Sequence, residues 1–405
     1  MNQEANRCLL CKKARCTAAC PVHTDVPRHM QQYRDGNFDD AAKMLFENNP
    51  FSAITCQVCD WHKLCFGHCI LNARKVPVRW YEIENELSTA YLEKVHLQAG
   101  NGKGQKVAIV GGGPAGMTAA IKLREAGFSI TIFDSNERLG GVLRYGIPQF
   151  RLDKKYVDQY ERICSEMGIK FKGNTFVGKD ITVASLRQDF DAVFIATGAI
   201  LPRKLDIPGE DNPKVIYALD YLKNPKSYNL GKKVIVVGGG NVTMDASRTA
   251  NRNGHETWVY YRKTFENMPA NSIEVEEAKA EGVNFQVFEV PVEVKDETLV
   301  MRNCENVVSD DGKVHTRMIE GTDHEVAYDS LIIAISANID HSIFGDEKPD
   351  FDEKGWLIVD NYNQTSIPGL FVAGDFLLGP QTVVEAVESA KKASEGIEKY
   401  LSGRN

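Results

Sequence analysis

Ten cysteines occur in the 405 residues, and eight of them fall in two runs near the amino end. The first is Cys8-x2-Cys11-x4-Cys16-x3-Cys20-Pro21 and the second is Cys56-x2-Cys59-x5-Cys65-x3-Cys69. Thiolates at this spacing hold metal. A four-cysteine run closed by Cys-Pro follows the iron–sulfur ferredoxin pattern, here with a wider middle gap, and in two-cluster ferredoxins the last cysteine of one run ligates the other cluster. Two interleaved 4Fe–4S clusters are one reading; a pair of structural zinc sites is the other, because four-thiolate zinc tetrahedra use similar local spacing. The remaining thiols, Cys164 in "YERICSEMGI" and Cys304 in "MRNCEN", stand alone and are expected to be buried and inert.

Two glycine turns supply the second chemistry. Gly111, Gly113 and Gly116 fit G-x-G-x-x-G directly after the strand-like "KVAIV", with Pro114 and Ala115 opening the helix that follows. Such a turn lets the backbone approach a pyrophosphate, and the helix N-terminus receives its charge. Asp134 ends the next strand at the distance where a carboxylate accepts from ribose hydroxyls, which suits an unphosphorylated adenosine. A second copy begins about 125 residues later with Gly238, Gly239, Gly240, Asn241 and Val242. Its third glycine is replaced by Thr243, which predicts looser helix packing. Its second strand ends in Arg262 and Lys263 rather than in an acid, a pair suited to neutralising a 2′-phosphate, so NADPH is expected over NADH.

These elements need a frame. A chain of 405 residues exceeds one ordinary core, and two to four domains are expected. Residues 1–100 read as short helices between the cysteine runs, and "AGNGKGQ" as a linker. Residues 104–230 read as the first part of a flavin-binding domain, 231–330 as an NAD(P)H domain, and 331–405 as the return to the first. In that scheme "DSLIIAISA" and "GLFVAGDFLLGPQTVVEAVESAKKASEGIEKYL" bring two strands and a closing helix back to the flavin domain. The fold class is α/β: a helical N-terminal iron–sulfur domain, then two Rossmann-like domains, the second inserted in the first. A net charge of −7 leaves no basic footprint for nucleic acid or an anionic membrane. The polar N-terminus lacks an apolar signal region, and no apolar run approaches the roughly 20 residues of a spanning helix, so a cytoplasmic protein is expected. There thiols stay reduced and a dense array binds metal or does redox work. A neighbouring flavin decides for iron, because zinc takes no electron.

The segments "RCLLC....C...CP..TDVP", "GGGPAGMTAA", "GGVLRYGIPQFRL", "IATG", "GGGNVTMDASRTA", "YRKTFENMPA" and "GLFVAGD" resemble, in order and over essentially the whole chain, the family of the glutamate synthase small subunit. That family includes the flavin part of dihydropyrimidine dehydrogenase. The resemblance implies FAD held by the first turn, by Gly140, Gly141, Val142 and Arg151, by Val177 and Gly198, and by Asp375, Gln381, Thr382 and Val383. It implies one cluster on Cys8, Cys11, Cys16 and Cys69, and another on Cys20, Cys59, Cys65 and the non-cysteine Glu84. Three features depart from the pattern. Cys56 and Cys59 have two residues between them where relatives place three, so Cys56 is read as a non-ligand; Asp60 stands where a proline is common; Asp134 replaces the commoner Glu. The x5 gap before Cys65 leans to the dihydropyrimidine dehydrogenase branch and Glu84 to the other.

By this resemblance electrons pass from NADPH to FAD to the clusters and on to a catalytic partner subunit with its own flavin. Hydride transfer to flavin requires no side-chain acid or base, so no catalytic residue is assigned. Two other readings remain. A self-sufficient disulfide reductase needs a Cys-x-x-Cys beside the flavin, and no such pair occurs after residue 100. A redox sensor or zinc interaction module would not turn over NADPH with a dye.

Overall fold

The structure is a computed structural model and describes residues 3–309 and 312–403. It divides into two compact units. The first comprises residues 1–144, 149–199 and 339–405, and the second residues 145–148 and 200–338.

The first unit opens with the helical region. Val26–Arg34 and Phe38–Asn48 form two helices, broken at Asp35–Gly36–Asn37, where Gly36 takes the left-handed conformation. Asp25 caps the first, accepting from the Arg28 amide. With Trp80–Lys94 they bury a common core of Met30, Tyr33, Leu45, Trp80, Ile83 and Leu87. Each such side chain contributes about 1.5–3 kcal/mol by leaving water.

The same unit holds a five-stranded sheet in the order Leu370–Val372, Ala192–Ile195, Lys106–Val110, Ser129–Phe133, Lys170–Lys172. Every pairing is parallel. Its central strands read as near-continuous apolar runs because helices cover the sheet. The helices Pro114–Glu125 and Val383–Ser402 pack on each other against it.

The helical region is fastened to this sheet layer. Tyr160, on the helix Lys154–Glu166, stacks on Phe51 at 4.1 Å between ring centroids and donates to the Pro50 carbonyl at 2.7 Å. Arg162 donates to the carbonyls of Leu92 and Val95 at 3.2 and 3.0 Å, and Lys122 to that of Glu47 at 2.7 Å.

The second unit repeats the layout: Val215–Tyr217, Ser330–Ile333, Lys233–Val237, Glu256–Tyr261, Asn284–Val287, again all parallel. This corrects the expected return of "DSLIIAISA" to the flavin domain. Ser330–Ile333 instead lies between Lys233–Val237 and Val215–Tyr217, with all four residues buried. The main segment of the second unit accordingly starts at Ile200, upstream of the boundary at 231, and includes the edge strand Val215–Tyr217. An antiparallel sheet also went unread: Thr298–Val308 pairs with Glu289–Val294, Val314–Met318 and His324–Ala327.

Candidate functional site

The cysteine runs occupy loops, turns and two short helices around the helical core, with Cys16 in Arg15–Ala19 and Cys56 in Ser52–Val58. Cys8, Cys11, Cys16 and Cys69, with Cys65, line one cavity. Arg34 holds its wall, donating to the carbonyls of Ala5 and Cys8. Burial pushes the Cys16 thiol up to about 11, and the neighbouring Cys8 and Cys69 add to the shift. Cys8 is raised by burial as well, against the opposing pull of the Leu10 backbone and Arg34.

A second group adjoins it through Cys65. Burial raises Cys59 and Cys65 well above the ordinary thiol range, and each also feels the Glu84 charge and Cys20. Cys20 is raised by burial, its sulfur 3.5 Å from the Thr24 hydroxyl. Glu84 is half-buried as a residue, yet burial of its carboxyl pushes it up to about 8. Cys56 adjoins this group but has its own polar neighbours, Asn85 Oδ1 at 3.5 Å and Ser88 Oγ at 3.8 Å. Among the described residues no three His, Cys, Asp or Glu side chains are gathered so as to hold a single metal ion.

At the first glycine turn, Gly116 packs its helix so closely on the strand that an added methyl would lie 1.8 Å from the Gly111 carbonyl oxygen. Gly113 faces Gly141, where the backbone has φ +50° and a side chain would begin 2.7 Å from the Gly113 Cα. The Gly140 amide donates to the Gly112 carbonyl at 2.8 Å. Val142 is exposed beside them, and Arg151 is half-buried. Asp134 is buried and accepts from the amides of Gly112 and Asn136 at 2.6 and 2.7 Å, so it also clamps the turn. Val177 is buried, and Gly198 is open on its Cβ side.

The helix starts of Pro114–Glu125 and Val383–Ser402 meet at Gly374, whose missing Cβ would lie 3.0 Å from that of Ala115 and 3.6 Å from that of Ala386. Asp375 follows, accepts from the Gln381 amide at 3.2 Å and is pushed up to about 7 by burial. Thr382 is the N-cap of the second helix in a reciprocal pair with Glu385, which commits its hydroxyl and leaves the amides of the first turn directed outward.

In the second unit Thr243 corrects the expected loose packing. It is fully buried, and its hydroxyl donates to the Ala334 carbonyl at 3.1 Å and accepts from the Gly240 amide at 3.2 Å, joining turn, helix and strand. The loop after the second strand folds back on the turn: the Ala270 amide donates to the Gly239 carbonyl and the Asn271 amide to Asn241 Oδ1. Val242 packs against the core of this unit. Arg262 is exposed, whereas Lys263 is half-buried and donates to the Val314 carbonyl at 2.8 Å.

Residues 105–390 match the family described as pyridine nucleotide-disulphide oxidoreductase, and residues 1–95 that described as dihydropyrimidine dehydrogenase domain II, 4Fe-4S cluster. The chain is 32% identical to the glutamate synthase (NADPH) small chain of Escherichia coli (strain K12), over 98% of its own length and 91% of that protein. It belongs to the glutamate synthase small-chain family of pyridine nucleotide-disulphide oxidoreductases. This family member is also 32% identical to the beta subunit of the NADP(+)-dependent formate dehydrogenase of Moorella thermoacetica, over 96% of the chain and 60% of that protein. Its fold is shared with Mycobacterium tuberculosis FprA in complex with NADPH, at a TM-score of 0.64 and 20% identity, covering 74% of this chain and 85% of that one.

As a member of that family, the protein is an oxidoreductase that uses FAD, NAD(P)H and a 4Fe–4S cluster. The donor chemistry fits. Every cysteine among the described residues is a free thiol, and two groups of half-buried thiols would repel one another as anions unless an iron–sulfur core supplied positive charge. The meeting of two helix N-termini at Gly374 fits an anionic dinucleotide in the same way. Two supporting residues escaped the sequence reading. Arg144 donates to the Leu139 carbonyl at 2.6 Å and pairs with Asp158 at 2.8 Å, bracing the Gly140 loop. Ser389 accepts from the Gly374 amide at 3.2 Å and fixes the meeting point of the helices. Arg144 lies within "GGVLRYGIPQFRL", but its spacing does not mark a bracing role, and Ser389 sits on a helix face 15 residues from its partner.

Proposed function

We propose that this chain is the electron-input subunit of a larger oxidoreductase, passing electrons from NADPH through FAD and two 4Fe–4S clusters to a catalytic partner of the glutamate synthase or dihydropyrimidine dehydrogenase kind, which carries its own flavin. Bound flavin takes two electrons together from a nicotinamide and releases them singly, which is the form iron–sulfur clusters accept.

Cys8, Cys11, Cys16 and Cys69 would hold one cluster, and Cys20, Cys59, Cys65 and Glu84 the other. The first glycine turn, Gly140, Gly141, Val142, Arg151, Val177, Gly198, Asp375, Gln381, Thr382 and Val383 would hold FAD. The second turn, from Gly238 to Val242, would receive NADPH, with Arg262 on the 2′-phosphate and Lys263 beside it. The names of two relatives, a small chain and a beta subunit, support a role within a multi-subunit enzyme.

The observation that carries the reading is that the cysteine-bearing helices and the flavin-type sheet form one compact unit. That arrangement supports short-range exchange between them. The test is anaerobic: NADPH added to purified protein bleaches both the flavin band and the brown iron–sulfur shoulder, with iron and sulfide in equal amounts. Material with a yellow band alone would reject the reading. Co-purification from the native host identifies the partner.

A further inference from the structure

The cavity lined by Cys8, Cys11, Cys16 and Cys69 has an unusual rim. Leu9 and Ile70, which line it, are 61% and 47% exposed, and Lys13 and Arg15 line it with them. Single exposed apolar residues are ordinary, but two of them over a thiol cavity are not scattered. The two segments that carry them hold charge of one sign. Residues 5–24 and 61–79 contain no Asp or Glu, in a chain whose net charge is −7. Nearby cations are paired: Arg7 with Glu4, Arg79 with Glu4 and Glu82, and Lys63 with Asp60. Lys12, Lys13, Arg15, Arg74 and Lys75 form no ion pair among the described residues, and all five are exposed.

We propose that this rim is the docking face for an acidic protein that exchanges single electrons with the cluster beneath it. The proposal rests on the electron-input reading above. Apolar contact at the centre expels water and brings the redox centres close, while the surrounding cations steer a negatively charged partner into register. An acidic partner is required because a basic one would meet five uncompensated cations. With a cluster held by Cys8, Cys11, Cys16 and Cys69, each docking event would pass one electron to the partner's metal centre or flavin. Two events match the two electrons of one NADPH, which leaves as NADP+ with release of one proton.

The test uses the intact holoprotein and two haem proteins of opposite charge, the acidic soluble domain of cytochrome b5 and the basic cytochrome c. Binding is read by titration calorimetry and by carbodiimide cross-linking with peptide mapping, so it does not depend on turnover. Expected is binding of cytochrome b5 that weakens at least about tenfold when salt is raised from roughly 20 to 300 mM, as screening requires. Cross-links should map to Lys12, Lys13 or Lys75. Lys13→Glu with Arg15→Glu should weaken cytochrome b5 about tenfold and strengthen cytochrome c. Should that variant lose iron, Lys12→Glu with Lys75→Glu, outside the cavity lining, must give the same reversal. Salt-independent binding, cross-links elsewhere, or equal effects on the two cytochromes would overturn the proposal. Failure of NADPH to bleach the clusters in the unaltered protein would instead reject the electron-input reading and leave the binding result standing.

Discussion

The ring of Tyr160 lies parallel to that of Phe51, 4.1 Å away and tilted by 10°, and its hydroxyl reaches the Pro50 carbonyl at 2.7 Å. One residue of the flavin-type layer thus anchors the cysteine-bearing helices both by apolar contact and by a hydrogen bond. Tyr160→Ala should cost about 3 kcal/mol in denaturant unfolding, within the range for large core truncations, whereas Tyr160→Phe should cost about 1 kcal/mol. The alanine variant should also expose the segment near Pro50 to proteolysis. Equal costs for the two variants would show that the stacking contributes nothing.

The contact of Gly113 with Gly141 gives a prediction on FAD retention. Gly141→Ala must place a methyl 2.7 Å from the Gly113 Cα in a left-handed conformation. Strain of ~1–2 kcal/mol at that loop should weaken FAD about tenfold, read as flavin released on gel filtration. Full retention would remove this loop from the cofactor site.

The iron content tests the ligand sets. Cys56 has Asn85 and Ser88 as neighbours of its own. Cys56→Ser should keep all the iron, while Cys59→Ser should lose about half of it, one cluster of two. Loss of half the iron in the first variant would exchange their roles.

Nucleotide preference should follow Arg262 more than Lys263, because the lysine is already engaged with the Val314 carbonyl. Arg262→Gln should weaken NADPH by about 10–100-fold, the worth of a charge-assisted hydrogen bond, and NADH little. Lys263→Gln should have a smaller effect. KM values for both nucleotides with menadione as acceptor check this, and equal changes for both would reject the assignment.

Acid stability has a local source in the second unit. Glu281 binds Arg252 and Arg248 at 2.6 Å, and those hydrogen bonds, only partly opposed by burial, lower its carboxyl to about 2. Since the folded value lies below the unfolded one, the stabilisation is present above the ordinary carboxylate pKa and is lost as pH falls from about 4.5 towards 2. Glu281→Gln should therefore cost about 2 kcal/mol at pH 7, discounted for partial exposure, and little at pH 2. Thermal melts across that range decide it; a constant difference would place the effect in packing.

Legibility in the sequence followed the range of the interaction. The glycine turns were readable because each motif lies within one strand–turn–helix segment, and Gly111 to Gly116 meet each other through the local backbone. Ser330–Ile333 was given to the wrong sheet because "SLII" is an apolar run buried on all positions, and such a run carries no mark of its partner. Glu289–Val294 does alternate, as "EVPVEV", but it is short and holds a proline, and its partner Thr298–Val308 has no period of two, so the sheet carries no clear signal. Thr243 was read as a packing defect because its acceptor, Ala334, is 91 residues away.

The chemistry available to this protein is determined by the sequence alone: soft donors in two runs, two turns open to phosphate, an acid after one and cations after the other. Those features depend on residue type and short spacing. Only the tertiary structure decides which thiols share a cavity, which cation of the Arg262–Lys263 pair stands exposed and which is engaged by a backbone carbonyl, and which sheet each buried strand joins. Each of these is settled by contacts between residues far apart in the chain, where burial and the satisfaction of polar groups select one partner among many of equal local appeal.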